Sequence, residues 1–280
     1  MALEAVDDYA RRTLDLASRM GARRAEGLAA CLLGESLLLR GQWDEAEEQL
    51  RRAVEIHRSL GASTGESLAS QRLAELAVYR GDADAAAEHL ERGLELAVDG
   101  PLPEHLLSRL YATMALNALE MDDPQAACTA IEAAASATAR FGSCPPCEAL
   151  LHPVAAEAYA AVGDLERARN YAAAAAETGS WGSDAWRAMA AVAQAAVAQG
   201  KGEAAQHLIE AAETFVRIDQ PFQAARCHLQ AGLLELDEGH TLPARTHLDQ
   251  ALSLFTRLGA RRGEARARRG LALAEDRPSS

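Results

Sequence analysis

Apolar residues recur at helical spacing along almost the whole chain, and short polar phrases interrupt them at regular intervals. The first segment, residues 2–19, places Leu3, Val6, Ala10 and Leu14 on one face of a helix. The alternation with a period of two that indicates strands is almost absent. The pattern therefore predicts an all-α protein.

One of the interrupting phrases recurs and sets the period of the chain. In its first copy, Gly41 to Ala46, a turn glycine is followed five positions later by alanine. The copies begin at residues 41, 81, 122, 163, 200 and 239, so the spacings are 40, 41, 41, 37 and 39 residues. We call the first residue of each copy its origin. Periods of this size are typical of solenoids built from helix pairs.

Three columns of small residues support this register. They stand five positions after the origin (Ala46, Ala86, Ala127, Ala168, Ala205, Ala244), twelve after it (Ala53, Gly93, Ala134, Ala175, Ala212, Ala251) and seven before it (Gly34, Ala74, Ala115, Ala156, Ala193, Gly232). Small residues at fixed offsets allow two antiparallel helices to pack closely. We therefore expect one domain over residues 1–280. It comprises a half-repeat helix in 1–21, six helix pairs in 22–260, a closing helix in 261–274 and a frayed tail in 275–280.

The three columns, the turn glycine and the aromatic Trp43 two positions after it resemble the tetratricopeptide repeat over roughly residues 25–258. The resemblance implies a right-handed α-solenoid of about six helix pairs, with half-repeats at both ends. It also implies a protein or peptide partner on the concave face. The repeats are longer than the usual 34 residues and are similar to the helical sensor region of bacterial regulators of the MalT and LuxR-like type. That likeness implies an alternative function, a sensor module of a transcription-regulator system that binds a small effector or a metal.

The resemblance also implies which side chains face a partner, because the first helix of each pair lines the concave face. The positions lie thirteen, six and two residues before each origin. The predicted binding residues are Glu35, Glu75, Tyr79, Arg109, Glu157, Arg187, Gln194 and Arg226. The arginines could hold carboxylates or phosphates in a fork geometry. They could equally pair with Glu157 and Asp237.

The phrase Cys144-Pro-Pro-Cys147 is the sharpest local chemical feature. A Cys-x-x-Cys pair can act as a dithiol switch or supply half of a zinc site. His152 lies five residues beyond the second cysteine, so Cys144, Cys147 and His152 are the predicted metal ligands. The alternative is a purely structural role, in which two prolines stiffen the joint between repeats and the two cysteines carry out no chemistry. Zinc at this phrase is the only cofactor for which the sequence gives an indication.

Composition and charge narrow the function classes. The formal net charge of −13 argues against a general nucleic-acid binder and is compatible with docking of basic partners. No apolar run is long enough to span a membrane, and acidic residues stand at the N-terminus where a signal peptide would have basic ones. The sequence lacks a phosphate loop, a nucleophile elbow and a paired-acid site. We therefore expect a cytoplasmic, non-enzymatic protein without direct nucleic-acid or membrane contacts.

Overall fold

The computed structural model describes residues 3–275, and every regular element in that range is an α-helix. The helices are α1 (Leu3–Arg19), α2 (Arg23–Leu39), α3 (Trp43–Ser59), α4 (Ser63–Arg80), α5 (Ala83–Val98), α6 (Pro103–Glu120), α7 (Pro124–Phe141), α8 (Pro145–Glu148), α9 (Leu151–Ala161), α10 (Leu165–Gly179), α11 (Asp184–Val197), α12 (Lys201–Arg217), α13 (Pro221–Asp237), α14 (Thr241–Leu258) and α15 (Arg261–Glu275). They follow one another as tandem helix pairs. The predicted all-α, helical-repeat solenoid class is confirmed.

The columns of small residues lie where helices pack, as the repeat register predicts. The alanine five positions after the origin is at most 1 % exposed in all six repeats. The reason is steric. A Cβ added to Gly34 would lie 2.6 Å from Cγ of Leu50, and one added to Gly93 would lie 2.6 Å from Cδ2 of Leu110. Close approach of paired helices therefore excludes larger side chains from these columns.

The turn within five of the six pairs depends on a residue that can adopt a left-handed backbone. Gly41 has a φ of 77°, and Asp122, which stands where the third repeat lacks the glycine, has a φ of 59°. Aspartate is one of the few side chains that tolerate this region. The next residue, Asp123, caps α7 by accepting a hydrogen bond from the backbone amide of Ala126 at 2.9 Å. Sequence and backbone conformation therefore agree even where the glycine is missing.

The fifth repeat departs from the predicted turn. Gly200 has an extended backbone, with a φ of −137°, and it is the N-cap of α12. Helix α12 consequently begins one residue after the origin, whereas α3 begins two residues after Gly41. This difference accompanies the shortest spacing in the chain, 37 residues. The buried alanine column is kept through Ala205, which is 1 % exposed.

The chain divides into two compact units by its internal contacts, the first ending at Leu151 and the second beginning at His152. Each unit is described below by itself. The expectation of one continuous right-handed superhelix over residues 1–280 stays a prediction. The closing helix, predicted over 261–274, is α15. The predicted frayed tail begins at the last residue of that helix, and its residues 276–280 lie outside the described range.

Among the described residues, none of the helices combines the length and apolarity that a membrane crossing requires.

Candidate functional site

Two arginines and two glutamates join three helices of the first unit. Arg72 of α4 donates hydrogen bonds to Glu35 of α2 and to Glu75 on its own helix. Nη2 of Arg109 on α6 donates to the same Oε1 of Glu35 at 3.3 Å, and the hydroxyl of Tyr79 donates to Oε1 of Glu75 at 2.6 Å. We call these five residues the arginine network. Four of them are predicted binding residues, and the structure brings those four together.

The charges of this network are sheltered from water and stabilise one another. The side chain of Arg72 is only 5 % exposed and that of Glu75 is 13 % exposed. Burial alone would lower the pKa of Arg72, but Glu35 and Glu75 outweigh it and raise that pKa above its ordinary value. Burial would raise the pKa of Glu35, but Arg72 and Arg109 outweigh it and hold that pKa below its ordinary value. Both ions therefore stay charged at neutral pH.

Not every polar atom around the network is satisfied. Nε of Arg72, Nε of Arg109 and Oε1 of Gln71 are buried without a hydrogen-bond partner among the described residues. Nε2 of Gln71 donates to Oγ1 of Thr113 at 2.8 Å, so the amide is fixed at one end only. Unsatisfied buried groups of this kind cost stability and are rare outside functional or strained sites.

The second unit contains a smaller network whose glutamate and arginine stand at the same repeat positions as Glu35 and Arg109. Glu157 of α9 accepts hydrogen bonds from Nη2 of Arg226 at 3.2 Å and from Nε2 of Gln230 at 3.0 Å, both on α13. In each unit the glutamate stands six positions before its origin, and the arginine stands thirteen positions before the origin two repeats later. The pairing of Glu35 with Arg109 thus recurs as the pairing of Glu157 with Arg226.

The remaining two predicted residues do not join either network. Arg187 pairs with Asp184 on its own helix, and Nε2 of Gln194 donates to the carbonyl oxygen of Ala172 at 3.3 Å. In the repeat register, the position that corresponds to Glu35 two repeats before Arg187 is Leu116, which offers no acceptor. Partner binding by the predicted residues stays a prediction, because their mutual contacts serve a structural role equally well.

The sequence prediction missed Arg72, the most buried charged member of the network. It stands nine positions before its origin, a column that the prediction did not use. Thr113 and Gln230 occupy the same column in two other repeats, and both make inner hydrogen bonds. The other residues of this column are Leu32 and small or apolar residues, so the polar side chains stand out. This contrast is the sequence signal that could have identified Arg72.

An open groove of about 840 Å³ lies between α5 and α6 of the first unit. It is lined by Ala87, Leu90, Glu91, Leu94, Glu95, Val98 and Asp99 of α5 and its end, and by Met114 and Asn117 of α6. Leu90, Leu94 and Val98 recur at intervals of four residues, so they form one stripe along α5. The helix-breaking segment Asp99-Gly-Pro-Leu-Pro103 connects these two helices.

The groove combines an apolar stripe with acidic side chains. Val98 is 42 % exposed, so this end of the apolar stripe is open to solvent. Glu91, Glu95 and Asp99 contribute three carboxylates, and among the described residues Glu95 pairs with Arg92 at 3.3 Å. The groove therefore offers apolar contact together with a negative potential.

The two thiols of the Cys-Pro-Pro-Cys phrase meet a histidine within the first unit. Sγ of Cys144 lies 3.0 Å from Sγ of Cys147 and 3.0 Å from Nδ1 of His105, and Sγ of Cys147 lies 3.8 Å from that nitrogen. We call these three residues the thiol–imidazole cluster. The third member is His105 of α6 and not the predicted His152, whose ring lies beside Tyr171 in the second unit with centroids 6.2 Å apart.

The surroundings of Cys147 favour its protonated thiol. Burial and the neighbouring thiol of Cys144 raise the pKa of Cys147 to about 12. The other three cysteines, Cys31, Cys128 and Cys227, are buried and are not joined in disulfides in the part of the chain that the structure describes.

Comparison with known proteins supports the repeat family over part of the chain. The tetratricopeptide-repeat family model matches residues 24–99. No curated protein matches the chain. A solved structure described as a circular tandem repeat protein with novel repeat topology and enhanced subunit contact surfaces is 16 % identical and covers 97 % of this chain and 76 % of its own. Its TM-score of 0.31 is too low to carry an argument. The likeness to MalT and LuxR-like regulators stays a prediction.

Proposed function

We propose that this chain is a non-enzymatic scaffold that binds a basic, amphipathic helical segment of a protein partner. Tetratricopeptide repeats generally mediate protein–protein interaction, and the matched region covers residues 24–99. The observation that carries the finer proposal is the groove between α5 and α6. It is apolar along its α5 side, open to solvent and flanked by carboxylates.

The shape and charge of the groove define the occupant. A helix that lays an apolar face into a groove is a recurring mode of peptide recognition, with anchors at intervals of three and four residues. The α5 stripe from Ala87 to Val98 offers a matching ridge. Glu91, Glu95 and Asp99 would attract lysine or arginine beside those anchors and repel acidic segments. The formal net charge of −13 favours the same class of partner through long-range attraction.

The predicted concave face, which we call the inner face, contributes Arg109 to the proposal as a second element. Arg109 retains 20 % exposure of its side chain, and its Nε lacks an acceptor among the described residues. A carboxylate of the partner would bond the exposed part of this guanidinium by a charge-assisted hydrogen bond. Since Arg109 already bonds Glu35, we assign it a secondary role and give the groove the main part of the affinity.

The decisive experiment measures binding of two designed peptides to the full chain by fluorescence anisotropy. Both peptides are amphipathic helices of about 18 residues, long enough to follow α5. One has leucine and lysine, and the other has the same leucines with glutamate. We expect the lysine peptide to bind and the glutamate peptide to bind at least about tenfold more weakly, because like charges oppose docking.

Charge reversal in the groove should invert this preference. The double variant Glu91→Lys and Glu95→Lys is expected to lose the lysine peptide and gain the glutamate peptide. The matched control, Glu213→Lys with Asp249→Lys in the second unit, makes the same change of net charge on exposed helix positions. Equal loss in both double variants would show that net charge alone attracts the peptide, and the groove assignment would be wrong.

A second variant separates the groove from the inner face. Arg109→Gln removes the secondary element and is expected to change lysine-peptide affinity less than twofold while circular dichroism stays unchanged. If Arg109→Gln abolishes binding and the groove variant does not, then the partner occupies the inner face. A sensor module that binds only a small effector would bind neither peptide.

A further inference from the structure

Three side chains with metal-ligand chemistry meet where the joint after α7 approaches the first turn of α6. Sγ of Cys144, Sγ of Cys147 and Nδ1 of His105 all lie within 4.8 Å of one another. We propose that this thiol–imidazole cluster binds one zinc ion, with two sulfurs and one nitrogen as ligands and the fourth position open. The proposal is independent of the peptide-binding function.

The observed distances fit a tetrahedral zinc ion after a small adjustment. Zn–S bonds of about 2.3 Å and Zn–N bonds of about 2.0 Å place two sulfurs about 3.8 Å apart and sulfur and nitrogen about 3.5 Å apart. The two sulfur–nitrogen distances in the cluster, 3.0 and 3.8 Å, bracket the second value. The sulfurs, now 3.0 Å apart, need to separate by roughly 0.8 Å to reach the tetrahedral spacing. Cys147 can provide this movement because its side chain is only half-buried.

The surroundings of the cluster orient its histidine. Nε2 of His105 lies 3.5 Å from Oε1 of Glu104. A proton held on Nε2 by this carboxylate leaves the lone pair of Nδ1 free to point at a metal, which is the usual arrangement behind a ligating imidazole. Because Cys144 is buried and the ring of His105 is partly exposed, the buried sulfur would anchor the metal ion, and the ion could enter from solvent on the histidine side.

The loop that carries the two cysteines is fixed on both sides of the cluster. Glu148 accepts hydrogen bonds from Oγ of Ser143 at 3.0 Å and from Oγ1 of Thr138 on α7 at 3.2 Å. The backbone amide of Cys147 donates to the carbonyl oxygen of Cys144 at 2.9 Å, and the two intervening prolines restrict the loop further. A preorganised loop reduces the entropy lost when a metal is bound.

The ligand set selects the metal by its chemistry. Two thiolates and one imidazole are typical ligands of zinc, and three protein ligands with an open fourth position are found in zinc sites that keep a water or substrate ligand. Binding converts two thiols into thiolates, so one Zn²⁺ enters and two protons leave to solvent. The site with its ion is then neutral, and no oxidant or reductant takes part.

The test titrates Co²⁺, a spectroscopic substitute for zinc, into the full chain kept reduced with a phosphine. We expect one equivalent to bind, with a sulfur-to-cobalt charge-transfer band and the visible bands of tetrahedral cobalt. Zn²⁺ should displace it and raise the melting temperature. Cys144→Ser and His105→Gln should each weaken binding by at least about 100-fold, since even second-shell changes cost 10- to 100-fold.

The matched control distinguishes the two histidines. His152→Gln, at the histidine that sequence spacing alone favours, should leave cobalt affinity and spectrum unchanged. Loss of binding in His152→Gln but not in His105→Gln would overturn the assignment. So would a reduced chain that binds no cobalt yet forms a Cys144–Cys147 disulfide in air, since the pair would then be a redox couple. Failure of peptide binding would leave all of these readouts unaffected.

Discussion

Replacement of Arg72 by methionine probes the arginine network most sharply. The side chain of Arg72 is 5 % exposed and bonds the carboxylates of Glu35 and Glu75. Methionine keeps much of the volume of arginine and fills the same space, so the change removes charge with little loss of packing. Among the described residues, Glu35 would keep Arg109 at 3.3 Å, and Glu75 would keep Tyr79 at 2.6 Å and Gln71 at 3.4 Å.

The expected loss follows from which partners remain. Removal of one partner from a buried ion pair costs about 3–5 kcal/mol, because the other charge is left without compensation. Since each glutamate retains at least one hydrogen-bond donor, we expect the lower end, about 3 kcal/mol. Arg51→Met is the matched control on the surface of the same unit. Arg51 is 66 % exposed and bonds Glu47 at 2.5 Å, and such exposed pairs contribute about 0–1 kcal/mol.

Urea unfolding followed by circular dichroism measures both variants. A double-mutant cycle of Arg72→Met with Glu35→Gln should give a coupling energy of about 0.5–3 kcal/mol, as expected for groups in contact. A loss below about 1 kcal/mol in Arg72→Met, equal to that of Arg51→Met, would refute the claim that the network is buried and mutually stabilised.

The pH dependence provides a second check on the network. The pKa of Glu35 is lower in the folded chain than its ordinary value of 4.5, so the folded state favours the ionised carboxylate. Its stabilising contribution is therefore complete above about pH 4.5 and is lost as the pH falls through the folded pKa. The difference in stability between the wild-type chain and Arg72→Met should accordingly be large at pH 7 and smaller near about pH 3.

Three further predictions concern packing, titration and capping. Gly34→Ala should destabilise the chain by about 1–3 kcal/mol in urea, because the new Cβ would lie 2.6 Å from Leu50; an unchanged midpoint would contradict the close helix approach. Burial and the adjacent ring of His247 lower the pKa of His228 to about 4, so stability should fall as the pH drops from about 6.5 to about 4. His228→Phe should make that fall smaller, and the rest belongs to groups such as His57 and His89, whose pKa values burial also lowers. Asp123→Ala should cost about 1 kcal/mol by loss of an N-cap, whereas Asp123→Asn should cost much less.

Much of the fold could be predicted from sequence because its rules are local and repeated. The alanine at each origin plus five, such as Ala46 and Ala244, is buried against a neighbouring helix in every repeat. The turn at Asp122 also follows the register, since aspartate replaces glycine in a left-handed backbone. The exception is Gly200, where the turn is extended, and the shorter spacing of that repeat was its only sequence signal.

The sites were less predictable because they depend on contacts between distant repeats. The spacing of Cys144 and Cys147 indicated a cluster, but the histidine beside them comes from His105, about forty residues earlier, on a helix that only tertiary packing brings there. His152 was favoured by proximity in sequence alone. Similarly, Arg72 was missed although its column gave a signal, because its contact with Glu35 joins residues of different repeats.

The most direct test of the proposed function is a methyl-resolved NMR titration of the full chain with the leucine–lysine peptide. We expect the largest shifts at groove methyl groups, namely those of Ala87, Leu90, Leu94, Val98 and Met114. Methyl groups of the second unit, such as those of Leu248, should stay in place. Shifts spread evenly over acidic surfaces of both units, or an absence of shifts at saturating peptide, would contradict a docking groove between α5 and α6.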